Sequence, residues 1–179
     1  MRVPRLAGGP PLGNPMATMH LMTAGMGIIL FSPSMADHIA EGEKYLQNHF
    51  WDPTDVQRHL QAGSIVGVCT GSPGDYHLEF RSGRPSLQEL AASDFTARLG
   101  LRNVDGRIAV CDLFALVHWE KHVPEEQILP LPIGIYHLVF CTNKPVSGRW
   151  GDHQTIRIHM EQVTDFPAIP FNGVPMLCP

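Results

Sequence analysis

The chain has 179 residues, a formal net charge of −4 and a hydrophobic share of 44%. These values predict one folded domain with a substantial core and argue against a disordered chain. The acidic balance, without a cluster of Lys and Arg, disfavours nucleic acid as the main partner, and the many glycines and prolines favour short strands over a helical bundle.

The N-terminal stretch has two interpretations. Residues 1–20 are predicted to form a disordered or extended tail, with Met1 or Met16 as the native start. The apolar run Leu21–Phe31 imitates a secretory signal, and cleavage after residue 36 would make the protein periplasmic or secreted. Because the run is short and is interrupted by glycines, we prefer a buried first strand at Met26–Phe31 in a cytoplasmic protein without a membrane partner.

Helix signals follow this first strand. Ser34 is predicted to cap a helix that runs to about Asn48. Asp52 is a second N-cap, for a short helix at Thr54–Gln61 that ends at Gly63. A capping box at residues 86–89 predicts a further brief helix over residues 87–92.

Alternating apolar and polar residues predict strands along the rest of the chain. The turn residues Gly71–Gly74 predict a hairpin over Ser64–Arg81. The Asp-Gly pair at residues 105–106 predicts a second hairpin, between Phe95–Arg102 and Arg107–Leu113.

The stretch Leu131–Met160 is predicted to form two strands joined by a polar, glycine-rich turn. The first strand is apolar on both faces, as expected near the middle of a sheet. The second strand alternates and would place Arg157 and His159 on a solvated face. Six to eight strands with a few short helices predict a mainly β, α+β fold, an antiparallel β-sandwich over residues 21–166, followed by a Pro-rich extended tail at 167–179.

The cysteines are scattered singly, without a C-x-x-C pair, at Cys69, Cys111, Cys141 and Cys178. In apolar strand-like runs a free cysteine behaves as a small hydrophobic residue. We therefore expect reduced, structural thiols, which suit the cytosol. A disulfide between two neighbouring strands stays open, because pairing depends on geometry.

His118 and His122 form the sharpest metal candidate. If this segment is helical, the two imidazoles share one face at i, i+4 and could both bind zinc. A third ligand would have to come from Asp152, His153 or His159. The alternative function is therefore a metal-dependent enzyme with a His-based zinc site. Two solvated histidines are the simpler interpretation, and no catalytic residue or cofactor is predicted.

Side chains of the types found as binding anchors occur in two places. The first is the loop Asn143–His153, where Trp and Arg lie together. The second is an acidic stretch with aromatic residues between positions 37 and 55. The predicted partner-binding residues are Arg149, Trp150 and Asp152 in the loop, and Glu41, Glu43, Trp51 and Asp55 in the acidic stretch. Burial under a loop is an equal alternative for each of the two tryptophans.

Three segments carry a family resemblance: AGSIVGVCT at Ala62–Thr70, DGRIAVCDL at Asp105–Leu113 and LPIGIYHLVFCT at Leu131–Thr142. Their layout, over about Trp51–Thr142, is similar to that of competence-protein-J-like nuclease inhibitors and bacterial toxin-immunity proteins. The resemblance implies a non-enzymatic cytoplasmic protein that binds and neutralises a cognate protein toxin, such as a secreted-system effector or a nuclease. The shared motifs mark strand starts, so no site residue is carried over and the oligomeric state stays open.

Overall fold

Two β-sheets pack around one apolar core in the computed structural model, which describes residues 14–25, 27–171 and 173–179. Over these residues sheet A has five strands, in the order β1 (Ala17–Thr23), β4 (Gly74–Ser82), β9 (Gln154–Val163), β8 (Gly134–Thr142) and β5 (Phe95–Asn103). Sheet B has four described strands, in the order β3 (Ile65–Cys69), β2 (Gly27–Phe31), β6 (Arg107–Asp112) and β7 (Ile128–Pro130).

The predicted fold class, mainly β with short helices in an α+β sandwich, is confirmed. The predicted strand pair in Leu131–Met160 is also confirmed, since β8 and β9 pair antiparallel with Leu138 opposite Met160. In contrast to a purely antiparallel sandwich, β4 and β9 run parallel. This parallel pair brings β9 to the centre of sheet A, with β8 beside it.

The other two predicted hairpins are wrong. β3 lies in sheet B and β4 in sheet A, while β5 lies in sheet A and β6 in sheet B. Turn residues specify that the chain reverses, but they do not specify which sheet the next strand joins. At residues 104–106 the chain crosses between the sheets, and Asp105 fixes the crossing by accepting hydrogen bonds from Ser32 Oγ at 2.8 Å and Ser34 N at 2.9 Å.

The helix predicted from Ser34 to Asn48 is also wrong. This stretch contains a 3-10 turn at Pro33–Ala36 and the five-residue helix α1 (Tyr45–His49). The Ser34 hydroxyl donates to Asp105 Oδ2 at 2.8 Å and so does not cap a helix. A partner 71 residues away outcompetes the local cap.

The helix predicted after Asp52 is confirmed as α2 (Pro53–Ala62). The Asp52 carboxylate accepts a hydrogen bond from Thr54 N at 2.8 Å. At the other end Gly63 has φ 64°, the left-handed conformation that glycine adopts without a steric penalty. The third helix is α3 (Leu87–Ala92), where the Ser86 hydroxyl accepts from Glu89 N at 3.0 Å, as the capping box predicts.

Both ends of the described chain contact the sheets. β1 begins inside the segment predicted to be a tail, and the strand predicted at Met26–Phe31 is found at Gly27–Phe31, with Met26 itself outside the described residues. Near the C-terminus Leu177 is fully buried, and its N–H donates to Cys69 O at 2.8 Å. None of the helices in the described residues is long and apolar enough to cross a membrane.

Candidate protein-binding surface

The loop between β8 and β9 is anchored to the last residue of α3 and to Asp94, which follows this helix. Asn143 Nδ2 donates to Ala92 O at 2.7 Å, and Lys144 N donates to Asp94 Oδ2 at 2.9 Å. Trp150 is half-buried, with its ring 5.4 Å from the ring of Phe95 in an edge-on arrangement. The neighbouring Arg149 and Asp152 are exposed, so the loop presents their charges on a fixed base.

The predicted acidic surface is largely paired within the protein. Asp55 contacts Arg58 at 2.8 Å, and Glu43 contacts His49 at 3.4 Å. Trp51 precedes α2 and is 74% exposed. It is therefore a surface residue and is not buried under a loop.

A backbone clamp joins this acidic surface to the segment after β6. Gly42 N donates to Trp119 O at 2.7 Å, and Trp119 N donates to Glu43 O at 3.0 Å. Glu41 completes the clamp, because its carboxylate accepts from Lys121 N at 2.9 Å. Two of the predicted binding residues, Glu41 and Glu43, therefore hold residues 119–121 in place.

Residues 118–122 are not helical, in contrast to the geometry on which the zinc prediction depended. The 3-10 turn Leu113–Leu116 ends before His118, and Trp119 is buried with its ring 5.4 Å from Phe31. Burial of Trp119 pulls the backbone towards β2, so the two histidines flank a buried side chain and cannot share a helix face. Both histidines are exposed.

The two histidines nevertheless meet at one cavity of about 360 Å³, which β1, the end of β6 and residues 113–127 enclose. The exposed and half-buried residues of its lining include Met22, Asp112, Phe114, His118, Glu120 and His122. Among the lining residues that the structure describes, the fixed charges are two carboxylates, and no Lys or Arg is present. The sequence alone did not predict this cavity, because its lining comes from two distant parts of the chain, residues 21–22 and residues 111–127.

Asp112 holds the cavity in shape. Its Oδ2 accepts hydrogen bonds from Ala24 N at 2.7 Å and Gly25 N at 3.0 Å, and its Oδ1 accepts from Phe114 N at 3.0 Å. A side chain at Gly25 would collide with Asp112 and with the Phe114 ring, both 2.6 Å from the position of a Cβ. Glycine at this position therefore lets the β1–β2 connection approach the cavity wall closely.

No group of three or more His, Cys, Asp or Glu side chains in the described part of the chain has a geometry that would hold a metal ion. Of the third ligands considered from the sequence, Asp152 and His153 lie in the β8–β9 loop and His159 lies in β9. His153 Nδ1 instead contacts Asp75 at 2.8 Å.

The face of β9 that carries Arg157 and His159 is not solvated, which corrects the prediction from its alternating pattern. Glu89 of α3 lies against this face, with its carboxylate 2.9 Å from Arg157 Nε and 3.0 Å from His159 Nε2. The side chains of Glu89 and His159 are only 4% and 6% exposed. The alternation correctly identifies the polar side of the strand, but a helix covers it.

Searches with family models and among curated proteins give no match to this chain. Solved structures with a similar fold include ComJ, an inhibitor of the DNA degrading activity of NucA, from Bacillus subtilis. ComJ has a TM-score of 0.51 and 11% identity, and the match covers 84% of this chain and 98% of ComJ. Another is the crocagin biosynthetic gene J product, with a TM-score of 0.48, 16% identity and coverage of 80% and 95%. The likeness to ComJ confirms, at the level of fold, the resemblance to competence-protein-J-like inhibitors.

Proposed function

We propose that this protein is a non-enzymatic inhibitor that binds and neutralises a cognate protein toxin, and that a DNA-degrading enzyme is the first target class to test. The observation that supports this proposal is the fold shared with ComJ, which extends over 98% of that inhibitor. We also place the protein in the bacterial cytoplasm, where its four free thiols would stay reduced.

Charge supports the same target class. A nuclease binds a polyanion and therefore needs a basic cleft. An inhibitor of such an enzyme gains association rate and specificity from exposed carboxylates that match the basic surface. This chain has a net charge of −4, and its exposed carboxylates include those of Glu41 and Glu120.

We propose two contact regions for the toxin. The first is the acidic surface around Trp51, together with the clamp that Glu41 and Glu43 form. The second is the tip of the β8–β9 loop, with Arg149, Trp150 and Asp152. An exposed Trp beside carboxylates supports the first region as the main anchor, because tryptophan buries a large area when a partner covers it.

The test combines this protein with a candidate DNA-degrading enzyme, to be sought first among the products of the genes next to its own. DNA cleavage is followed with a fluorescent duplex while the molar ratio of the two proteins is raised. We expect cleavage to stop near one equivalent and a complex to elute in size-exclusion chromatography. Undiminished cleavage at tenfold excess, without a complex, would exclude this target class.

Two matched variants test the contact region in the same assay. Trp51→Ala should weaken inhibition by about tenfold or more, as a binding anchor does, with an unchanged melting temperature. Leu87→Ala is the control, because Leu87 is similarly exposed, at 85%, but lies on α3. Equal inhibition by both variants would remove Trp51 from the contact region.

The alternative, a zinc enzyme based on His118 and His122, keeps one supporting observation, since both residues line the same cavity. Metal analysis of protein purified without a histidine tag separates the two functions. One equivalent of zinc that His118→Ala abolishes would favour the enzyme.

A further inference from the structure

We propose that the cavity lined by Asp112, Phe114 and Glu120 receives a basic side chain, that of an arginine or a lysine, from the protein partner. This inference rests on the proposed function for the existence of a protein partner, and it adds the place and the chemistry of one contact. The cavity is lined by residues of β1, the end of β6 and residues 113–127.

The lining of the cavity is negatively charged. Asp112 and Glu120 supply two negative charges, and no Lys or Arg among the described lining residues neutralises them. Lys121 lines the neighbouring groove with His122 rather than this cavity. A cation that enters this space meets fixed carboxylates, whereas an anion would be repelled by them.

The exposed lining at the mouth of the cavity includes apolar surface. Met22 is 81% exposed and Phe114 is 49% exposed, and both line the cavity. Arg and Lys have long apolar stems that cover such surface, and a guanidinium stacks on an aromatic ring. A side chain of this kind satisfies the carboxylates and the apolar mouth at the same time.

The cavity has the size for one long side chain, and its wall is held by hydrogen bonds. A volume of about 360 Å³ lies at the small end of the range for ligand cavities, roughly 300–1,000 Å³, and suits one long side chain. Three backbone N–H groups hold Asp112, and the clamp between Gly42 and Trp119 holds the opposite part of the wall. Because the cavity is already formed, binding has to order the incoming side chain but not the cavity wall.

The test uses blocked arginine, N-acetyl-L-arginine amide, and needs no toxin. It is titrated into the full-length protein at pH 7.5 while ¹H–¹⁵N spectra are recorded. We expect saturable shifts at residues 112–123, with a dissociation constant of roughly millimolar size for a ligand of this few atoms. The neutral isostere N-acetyl-L-citrulline amide and the anionic N-acetyl-L-glutamate amide should produce no saturable shift there.

Matched variants connect this binding to the cavity. Glu120→Gln should weaken arginine binding by about fivefold or more, and Phe114→Ala should do the same. Glu126→Gln removes the same charge from an exposed residue that does not line the cavity, and it should bind arginine like the unmodified protein. Equal binding of arginine and citrulline, or equal effects of Glu120→Gln and Glu126→Gln, would overturn the proposal.

The two proposals fail separately. If arginine binds at this cavity and the DNA-degrading enzyme is not inhibited, the cavity chemistry stands and the target class is wrong. If the nuclease is inhibited equally well by the Glu120→Gln and unmodified proteins, the inhibitor function stands and this cavity is not its contact.

Discussion

Glu89 shows how a single residue can connect a helix to a sheet through buried charge. It lies between Arg157 and His159, whose side chains are 18% and 6% exposed, and it caps no backbone group with its carboxylate. Removal of one member of the buried Glu89–Arg157 ion pair leaves the other charge without compensation, which costs more than the pair contributed. The local sequence contains only the capping-box pattern, so the ion pair itself could not be predicted.

We expect Glu89→Ala to reduce the free energy of unfolding by about 3 kcal/mol, because the Arg157 charge stays buried without its partner. The control is Glu161→Ala, which breaks the pair with Arg84, a side chain that is 70% exposed. Exposed pairs of this kind contribute less than about 1 kcal/mol. Urea unfolding of both variants at pH 7 measures the difference, and similar losses would contradict the buried role of Glu89.

A chain of hydrogen bonds connects α1 to α2 and to Ser64, the residue that precedes β3. His59 of α2 contacts Ser64 Oγ through Nδ1 at 2.8 Å and the Tyr45 hydroxyl through Nε2 at 3.0 Å. The Tyr45 hydroxyl also contacts His38 Nε2 at 3.1 Å. Burial, reinforced by the charges of His38 and Arg58, lowers the pKa of His59 to about 4.

This pKa predicts that stability falls in mild acid. A histidine in the unfolded chain binds its proton near pH 6.5, whereas folded His59 binds it only near pH 4. Between these values the unfolded state holds more protons, so the stabilisation is complete above pH 6.5 and is lost as the pH falls towards 4. Burial lowers the pKa of His137 as well, in the same direction.

We expect the free energy of unfolding to drop between pH 7.5 and pH 5, with roughly 1–2 kcal/mol of the drop due to His59 after solvent screening. His59→Gln removes this titration and should show a smaller drop. His122→Gln, which removes an exposed histidine, should follow the unmodified protein. Urea unfolding at both pH values decides, and parallel pH profiles for all three proteins would contradict the role of His59.

Elements whose determinants lie within a few residues of each other could be predicted from the sequence. Asp52 with Gly63 defined α2, and Ser86 with Glu89 defined α3. The two false hairpins failed because the choice of sheet depends on contacts across the core, such as those of Asp105, which no local pattern contains.

The candidate site depends on the topology of the whole molecule more than on any motif. Met22 is far in the sequence from Asp112 and Glu120, and it meets them because β1 contacts β6 between the two sheets. The sequence supplied the residue types, two carboxylates and two histidines near an aromatic ring. The sequence could not predict that these residues line one cavity, because the order of the strands in the two sheets determines which distant residues meet.

The C-terminal residues pack against the sandwich although the sequence pattern predicts no strand for them. Residues 167–179 were expected to be an extended tail, and the described residues of this segment, 167–171 and 173–179, contain no regular element longer than a single bridge, between Cys69 and Met176. Its contacts are those of a packed segment, because Cys69 N donates to Pro175 O at 2.8 Å and Leu177 is fully buried in the core. We therefore propose that residues 175–178 are part of the sandwich.

Two adjacent residues test this proposal. Leu177→Ala should reduce the free energy of unfolding by about 2–4 kcal/mol, the usual cost of a cavity at a fully buried leucine. Met176→Ala should change it by less than about 0.5 kcal/mol, because Met176 is 51% exposed and its backbone bridge does not depend on the side chain. Hydrogen exchange at the Cys69 amide, which donates to Pro175, should accelerate in the first variant and not in the second. If Leu177→Ala is as stable as Met176→Ala, the segment is a dispensable tail and the sandwich ends at β9.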